Sequence, residues 1–123
     1  MNNDDHAIVV GVRRYPMFGT NEREARDLLG PDNDAQAVHD WLVSAAGGGV
    51  PRANATLIRS QDYPDPFPNA VMAEPQVRRI EDEFNRIELI AAQNDQNGAG
   101  RRVGRRFYLY VSGHGYAEKR AQG

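Results

Sequence analysis

The 123-residue sequence contains no cysteine, which removes several kinds of chemistry. Within these residues there is no disulfide, no thiolate-bound metal and no thiol nucleophile. The sequence also lacks any apolar run approaching the roughly 18 residues of a membrane-spanning helix. Its first residues are polar and acidic, unlike a secretory signal. We therefore expect a cytoplasmic chain without membrane contact.

The net charge of the sequence is also small. The formal net charge of -2 gives no electrostatic reason to expect nucleic acid or an anionic membrane as a partner. Hydrophobic residues make up 40% and charged residues 26%, as in an ordinary globular protein. We expect residues 1–123 to form one domain, or part of one.

Three short runs rich in β-branched or aromatic residues predict strands, at residues 7–12, 55–59 and 107–112. The first and last are apolar on both faces, which predicts buried strands of a parallel sheet. Four prolines between residues 64 and 75 exclude a helix or central strand there.

A first helix is predicted after this first strand and a long polar loop, with Asn33 or Asp34 as its cap. Trp41 is expected in the core and His39 at the partly exposed surface. The expected buried stripe has spacings of three and four residues and consists of Ala35, Val38, Leu42 and Ala45.

A second helix is predicted from about residue 76 to residue 93. Its apolar face consists of Val77, Ile80, Phe84, Ile87 and Ala91. The order strand, helix, strand, helix, strand predicts a mostly parallel sheet with helices on both faces, a three-layer α/β/α fold.

One motif at the end of the last strand suits proton-transfer chemistry. Ser112, Gly113, His114 and Gly115 follow the most apolar strand, and functional groups in such sheets gather at the carboxyl ends of strands. Histidine titrates near neutrality, and a flanking glycine brings its backbone N–H close to a substrate carbonyl. A loop histidine in a tight turn explains the same pattern. A serine hydrolase using Ser112 is disfavoured, because such enzymes place the base on another segment.

The segment from Tyr110 to Gly115 is similar to the histidine motif of the caspase and metacaspase clan of cysteine peptidases. Residues 7–12 and residues 29–35 resemble the first strand and the start of the first helix of that clan. The three segments occur in the order of the family. The resemblance implies a partial caspase-like fold, the amino-terminal, histidine-bearing part of a peptidase domain.

The resemblance also implies roles for four residues. His114 matches the catalytic histidine and Gly115 the oxyanion glycine. Asp34 and Ser112 match residues that line the S1 pocket of metacaspases, so the implied cleavage is after Arg or Lys. Arg13 and Arg14 lie near an arginine position of the animal caspases, which prefer Asp, and leave that preference open.

The missing cysteine is the departure from this family. In caspases the nucleophile lies about 50 residues after the histidine, and nine residues follow His114 here. We expect a fragment whose remainder carries the cysteine and acts on a peptide or protein substrate. The alternatives are an inactive caspase-like binding or regulatory module and an unrelated doubly wound signalling domain.

No cofactor is predicted. The three histidines have no metal-site spacing. Calcium activates many metacaspases, but Asp4, Asp5, Asp62 and Asp65 match no calcium loop. Four arginines between residues 101 and 106 fit either a phosphate or acidic-partner patch or a solvated loop, and we expect the latter.

Overall fold

A computed structural model describes residues 4–12, 30–63, 75 and 77–113 of the chain. Its strands are β1 (His6–Gly11), β2 (Ala55–Arg59) and β3 (Phe107–Ser112), and its helices are α1 (Pro31–Val43) and α2 (Val77–Gln96). Both partners of β1 run parallel to it, in the strand order β2-β1-β3. The predicted α/β class, element order and parallel pairing are confirmed.

The two helices cover opposite faces of the sheet. Alternate residues of β1 point to opposite sides, and all four of its central residues are fully buried. One side packs against α1 in a cluster formed by Ala7, Val9, Ala35, Leu42 and Val50. The other packs against α2 in a cluster formed by Ile8, Val10, Ile58 and Ile87. The three predicted layers are therefore present, with β1 at their centre.

Helix α1 begins earlier than the sequence suggests. Gly30 is its N-cap residue, with no side-chain cap, and Pro31 occupies the first turn. Proline suits this position because the N–H that it lacks has no acceptor within the helix. The prediction that Asn33 or Asp34 caps the helix is wrong.

The buried face of α1 also differs from the prediction at three residues. Ala45 was expected on the buried stripe, but it is exposed and lies beyond the end of α1. His39 is 7% exposed and Trp41 is 58% exposed, so the two expected placements are reversed. Position 39 lies four residues after Ala35 and three before Leu42, on the buried stripe, whereas position 41 lies beside it. The position of each residue around the helix, and not the hydrophobicity of its side chain, therefore determines which of the two is buried.

Helix α2 runs three residues beyond its predicted end and buries a different set of side chains. Ile87 and Ala91 are buried as expected, but Val77 and Phe84 are exposed. Glu83 is buried instead. The predicted apolar face is therefore right at Ile80, Ile87 and Ala91 and wrong at Val77 and Phe84.

Three hydrogen-bond donors compensate the burial of Glu83. Its carboxylate accepts from Arg79 Nη1 at 2.7 Å, Arg86 Nε at 3.0 Å and Thr56 Oγ1 at 3.1 Å. Burial favours the neutral acid, but these donors hold the pKa of Glu83 below its ordinary value. Because Thr56 belongs to β2, the carboxylate fastens α2 to the sheet.

Strand β3 is not the buried strand that its composition predicts. Phe107, Leu109 and Val111 share the α2 side of the sheet, and Leu109 is 50% exposed. Tyr108 and Tyr110 pack on the α1 side. In the described part of the chain, α2 does not cover the part of this sheet face that β3 contributes.

Neither described helix has both the length and the apolar character that a membrane crossing requires.

Candidate active site at the carboxyl edge of the sheet

The carboxyl ends of the three strands meet at one edge, which we call the carboxyl edge. Gly11 is in register with Arg59 of β2 and Ser112 of β3. The N–H of Val12 donates to the carbonyl oxygen of Ser112 at 2.9 Å and extends the pairing of β1 with β3. Ser112 is half-buried, and the chain passes from it to the exposed Gly113.

Glycine at position 11 lets α1 approach this edge. A Cβ atom there would lie 2.5 Å from the carbonyl oxygen of Pro31 and 2.9 Å from the Cβ of Ala35. The first turn of α1 is therefore in direct contact with the end of β1, in the row that contains Ser112. The two predicted substrate-binding residues, Asp34 and Ser112, lie at the same end of the sheet.

The Asp34 side chain is exposed in the first turn of α1. Its backbone N–H donates to the carbonyl oxygen of Gly30 at 2.8 Å. The positive end of the helix dipole favours a carboxylate there. Within residues 30–63 and the other described ranges, no arginine or lysine forms an ion pair with Asp34. The carboxylate is thus available to a cation from outside these ranges.

Asp32 is a buried carboxylate at the same edge that sequence reasoning missed. It is 3% exposed, and its Oδ2 accepts from the backbone N–H of Gln61 at 2.9 Å. Gln61 belongs to the 3₁₀ turn Ser60–Asp62 that follows β2. Asp32 therefore ties the start of α1 to the end of β2. An aspartate directly after the first-turn proline was the available signal.

Arg59 connects the same elements from the other side. Its guanidinium donates to Asp62 at 3.1 Å and 2.6 Å and also to Gln36 of α1. The hydrogen bonds to Asp62 raise the pKa of Arg59 above its ordinary value. Asp62 is therefore already paired with a cation. The hydrogen bond from Arg59 to Gln36, together with the contact of Asp32, fixes the position of α1, and hence of Asp34, against the sheet.

Several predicted residues lie outside the described residues, namely His114, Gly115, Arg13, Arg14 and Asp65. Position 114 directly follows Gly113 in the sequence, after the strand end that contains Ser112. The geometry therefore brings Asp34 and Ser112 to one edge and leaves the histidine and the oxyanion glycine undescribed.

The remaining histidines belong to neither this edge nor a common site. His6 begins β1 at the opposite end of the sheet, and His39 lies on the buried face of α1. Across the described ranges, no group of three or more His, Asp or Glu side chains could hold a metal ion.

Comparison with known proteins assigns no family to the chain. No family model, curated protein or solved structure matches the chain.

Proposed function

We propose that the chain is the histidine-bearing part of a caspase-like cysteine endopeptidase. The observation that carries the proposal is the contact of the first turn of α1 with the end of β1. It brings Asp34 to the strand end at which Ser112 leads into Gly113 and His114. A peptidase with this motif needs its specificity carboxylate and its histidine at one edge.

The catalytic roles follow from the chemistry of peptide hydrolysis. A thiolate attacks the scissile carbonyl and forms an acyl-enzyme, and His114 protonates the amine that leaves. Water then hydrolyses the acyl-enzyme with His114 as base. The N–H of Gly115 donates to the oxyanion of the tetrahedral intermediate. These two roles come from the sequence motif alone.

The exposure of Asp34 and its lack of an ion pair with a described cation support the specificity role. Its carboxylate is exposed at a helix start and unpaired with any described cation. Such a group accepts a charge-assisted hydrogen bond from the guanidinium or ammonium of a P1 residue. Cleavage after Arg or Lys is the preference that we propose.

The nucleophile must come from a segment outside these 123 residues, because the sequence has no cysteine. The uncovered side of β3, with Leu109 and Val111 half or more exposed, offers apolar surface beside the proposed histidine strand. We place the cysteine-bearing remainder of the domain along β3. A catalytic thiol must stay reduced, which suits the cytoplasm.

Specificity is the first property to test, with the full-length gene product. Asp34→Ala should lower kcat/KM for an Arg-P1 peptide on the order of tenfold or more, since it removes a hydrogen bond between charged groups. The matched control is Asp82→Ala, which removes an exposed aspartate from α2 on the other face of the sheet. Its kcat/KM should be unchanged.

Two outcomes would contradict the proposal. Equal kcat/KM values for the Asp34→Ala and Asp82→Ala variants would remove the specificity role. A full-length product that hydrolyses neither Arg-P1 nor Asp-P1 peptides would favour a non-catalytic caspase-like module.

A further inference from the structure

The opposite end of the sheet, which we call the amino edge, contains a cavity of about 440 Å³. It lies between the start of β1, the second half of α2 and the segment that leads into β3. Small-molecule sites typically occupy about 300 to 1,000 Å³. The cavity is thus large enough for a small ligand, and the proposed peptidase site does not use it.

Specific contacts build the walls of this cavity. Asn94 of α2 donates from Nδ2 to the carbonyl oxygen of Arg102 at 2.6 Å. A Cβ atom at Gly104 would lie 1.8 Å from the carbonyl oxygen of Asp4, so the two backbones are in close contact. The segment before β3 is therefore held on one side by α2 and on the other by the chain before β1.

The arginines between residues 101 and 106 differ in their partners at this edge. Arg101 pairs with Glu88, and Arg105 pairs with the buried Asp5 at 3.0 Å. Arg102 lines the cavity and has no ion-pair partner in the described part of the chain. A guanidinium that lines a cavity and forms no ion pair is suited to bind an anion.

The lining of the cavity includes a second polar group without a partner among the described residues. His6 lines it and is 8% exposed, and its Nδ1 is buried with no hydrogen bond to any described residue. Buried polar atoms are almost always hydrogen-bonded, so an unpaired one calls for an explanation. Burial, with the nearby Arg86 cation, lowers the pKa of His6 below its ordinary value and favours the neutral imidazole.

The rest of the lining is both polar and apolar, and its polar residues are Asp4, Asn94 and Arg105. Ile90, Ala99 and Val103 contribute side chains to the wall. A ligand that binds Arg102 and also contacts these three apolar residues combines a negatively charged group with an apolar body.

We propose that this cavity binds a small organic anion, a carboxylate or phosphate monoester with an apolar group. Arg102 binds the charged group, Ile90 and Val103 contact the apolar body, and His6 contributes the imidazole whose Nδ1 has no hydrogen-bond partner among the described residues. This site is separate from the carboxyl edge and does not depend on peptidase activity.

The test is an NMR titration of the ¹⁵N-labelled full-length gene product with phenyl phosphate and benzoate. Saturable shifts are expected at the backbone amides of residues 99–105. Benzyl alcohol lacks the charge and inorganic phosphate lacks the ring, so each should bind more weakly than phenyl phosphate.

Two variants locate the interaction. Arg102→Gln should weaken phenyl phosphate binding on the order of tenfold, because it removes a charge-assisted contact. Arg106→Gln makes the same change of charge four residues away, outside the cavity lining, and should alter binding less than about twofold. Both side chains are exposed, so both variants should fold.

Three results would overturn the proposal. They are the absence of saturable shifts, equal weakening by the two substitutions, and shifts confined to β3. Equal weakening would show general attraction to positive charge, and shifts on β3 would show adsorption to its uncovered apolar face.

Discussion

The buried carboxylate of Glu83 offers a quantitative test of how α2 is attached to the sheet. In the Glu83→Gln variant the side chain keeps its shape and loses its charge. Three donors lose a charged acceptor, those of Arg79, Arg86 and Thr56. We expect the variant to have a lower free energy of unfolding than the unmodified chain.

The size of the effect follows from the exposure of the arginines. Removing one partner of a fully buried ion pair costs about 3 to 5 kcal/mol, because the other charge stays in the interior. Here the Arg79 and Arg86 side chains are 36% and 39% exposed, so water can solvate them after the substitution. We therefore expect a loss of about 1 to 3 kcal/mol, in the range for hydrogen bonds to charged groups.

Urea unfolding followed by far-ultraviolet circular dichroism measures this loss. The matched control is Glu81→Gln, an exposed glutamate on the same helix, for which a change within about 0.5 kcal/mol is expected. A double-mutant cycle with Thr56→Val should give an interaction energy of at least about 0.5 kcal/mol. Equal stability of the Glu83→Gln and Glu81→Gln variants would refute the role assigned to the network.

Two further predictions concern the amino edge. Gly104→Ala should lower the free energy of unfolding by about 1 to 3 kcal/mol, because the new Cβ would lie 1.8 Å from the Asp4 carbonyl oxygen, and wild-type stability in urea would contradict that contact. The hydrogen bonds from Arg105 hold the pKa of Asp5 below its ordinary value, so the stability that its charge contributes is present above the unfolded pKa of about 4 and is lost as pH falls through the folded pKa. The free energy of unfolding should therefore fall more steeply in acid for the unmodified chain than for Asp5→Asn, and parallel pH profiles would contradict this assignment.

Secondary-structure order could be predicted from the sequence because its signals are local. The β-branched run in β1 and the apolar periodicity of α2 depend on neighbouring residues alone. The parallel sheet follows from the connections between these elements. The strand bounds agree with the prediction to within one residue, and α2 differs mainly in its length.

Burial was harder to predict because it depends on which neighbour covers each face. Trp41 is apolar but lies beside the stripe of α1 that contacts the sheet, whereas His39 lies on it. Glu83 is buried only because three donors from two elements converge on it. Leu109 is exposed because α2 does not extend over β3. The hydropathy of the sequence does not show which residues make these contacts.

The candidate site was predictable in part. Asp34 and Ser112 were named through the resemblance to metacaspases, and their place at one edge agrees with the rule that functional groups gather at the carboxyl ends of parallel strands. Asp32 and Arg59 escaped prediction because their respective partners Gln61 and Gln36, which are distant in the sequence, become neighbours of them only in the folded chain.

The most direct test of the peptidase proposal is the effect of His114→Ala on hydrolysis of an Arg-P1 peptide by the full-length gene product. General acid–base catalysis by a histidine contributes a rate factor of about 10² to 10⁴. We expect kcat to fall by a factor in that range, with the folded structure retained by circular dichroism. An unchanged kcat in the folded variant would show that residue 114 takes no part in the chemistry and would contradict the account.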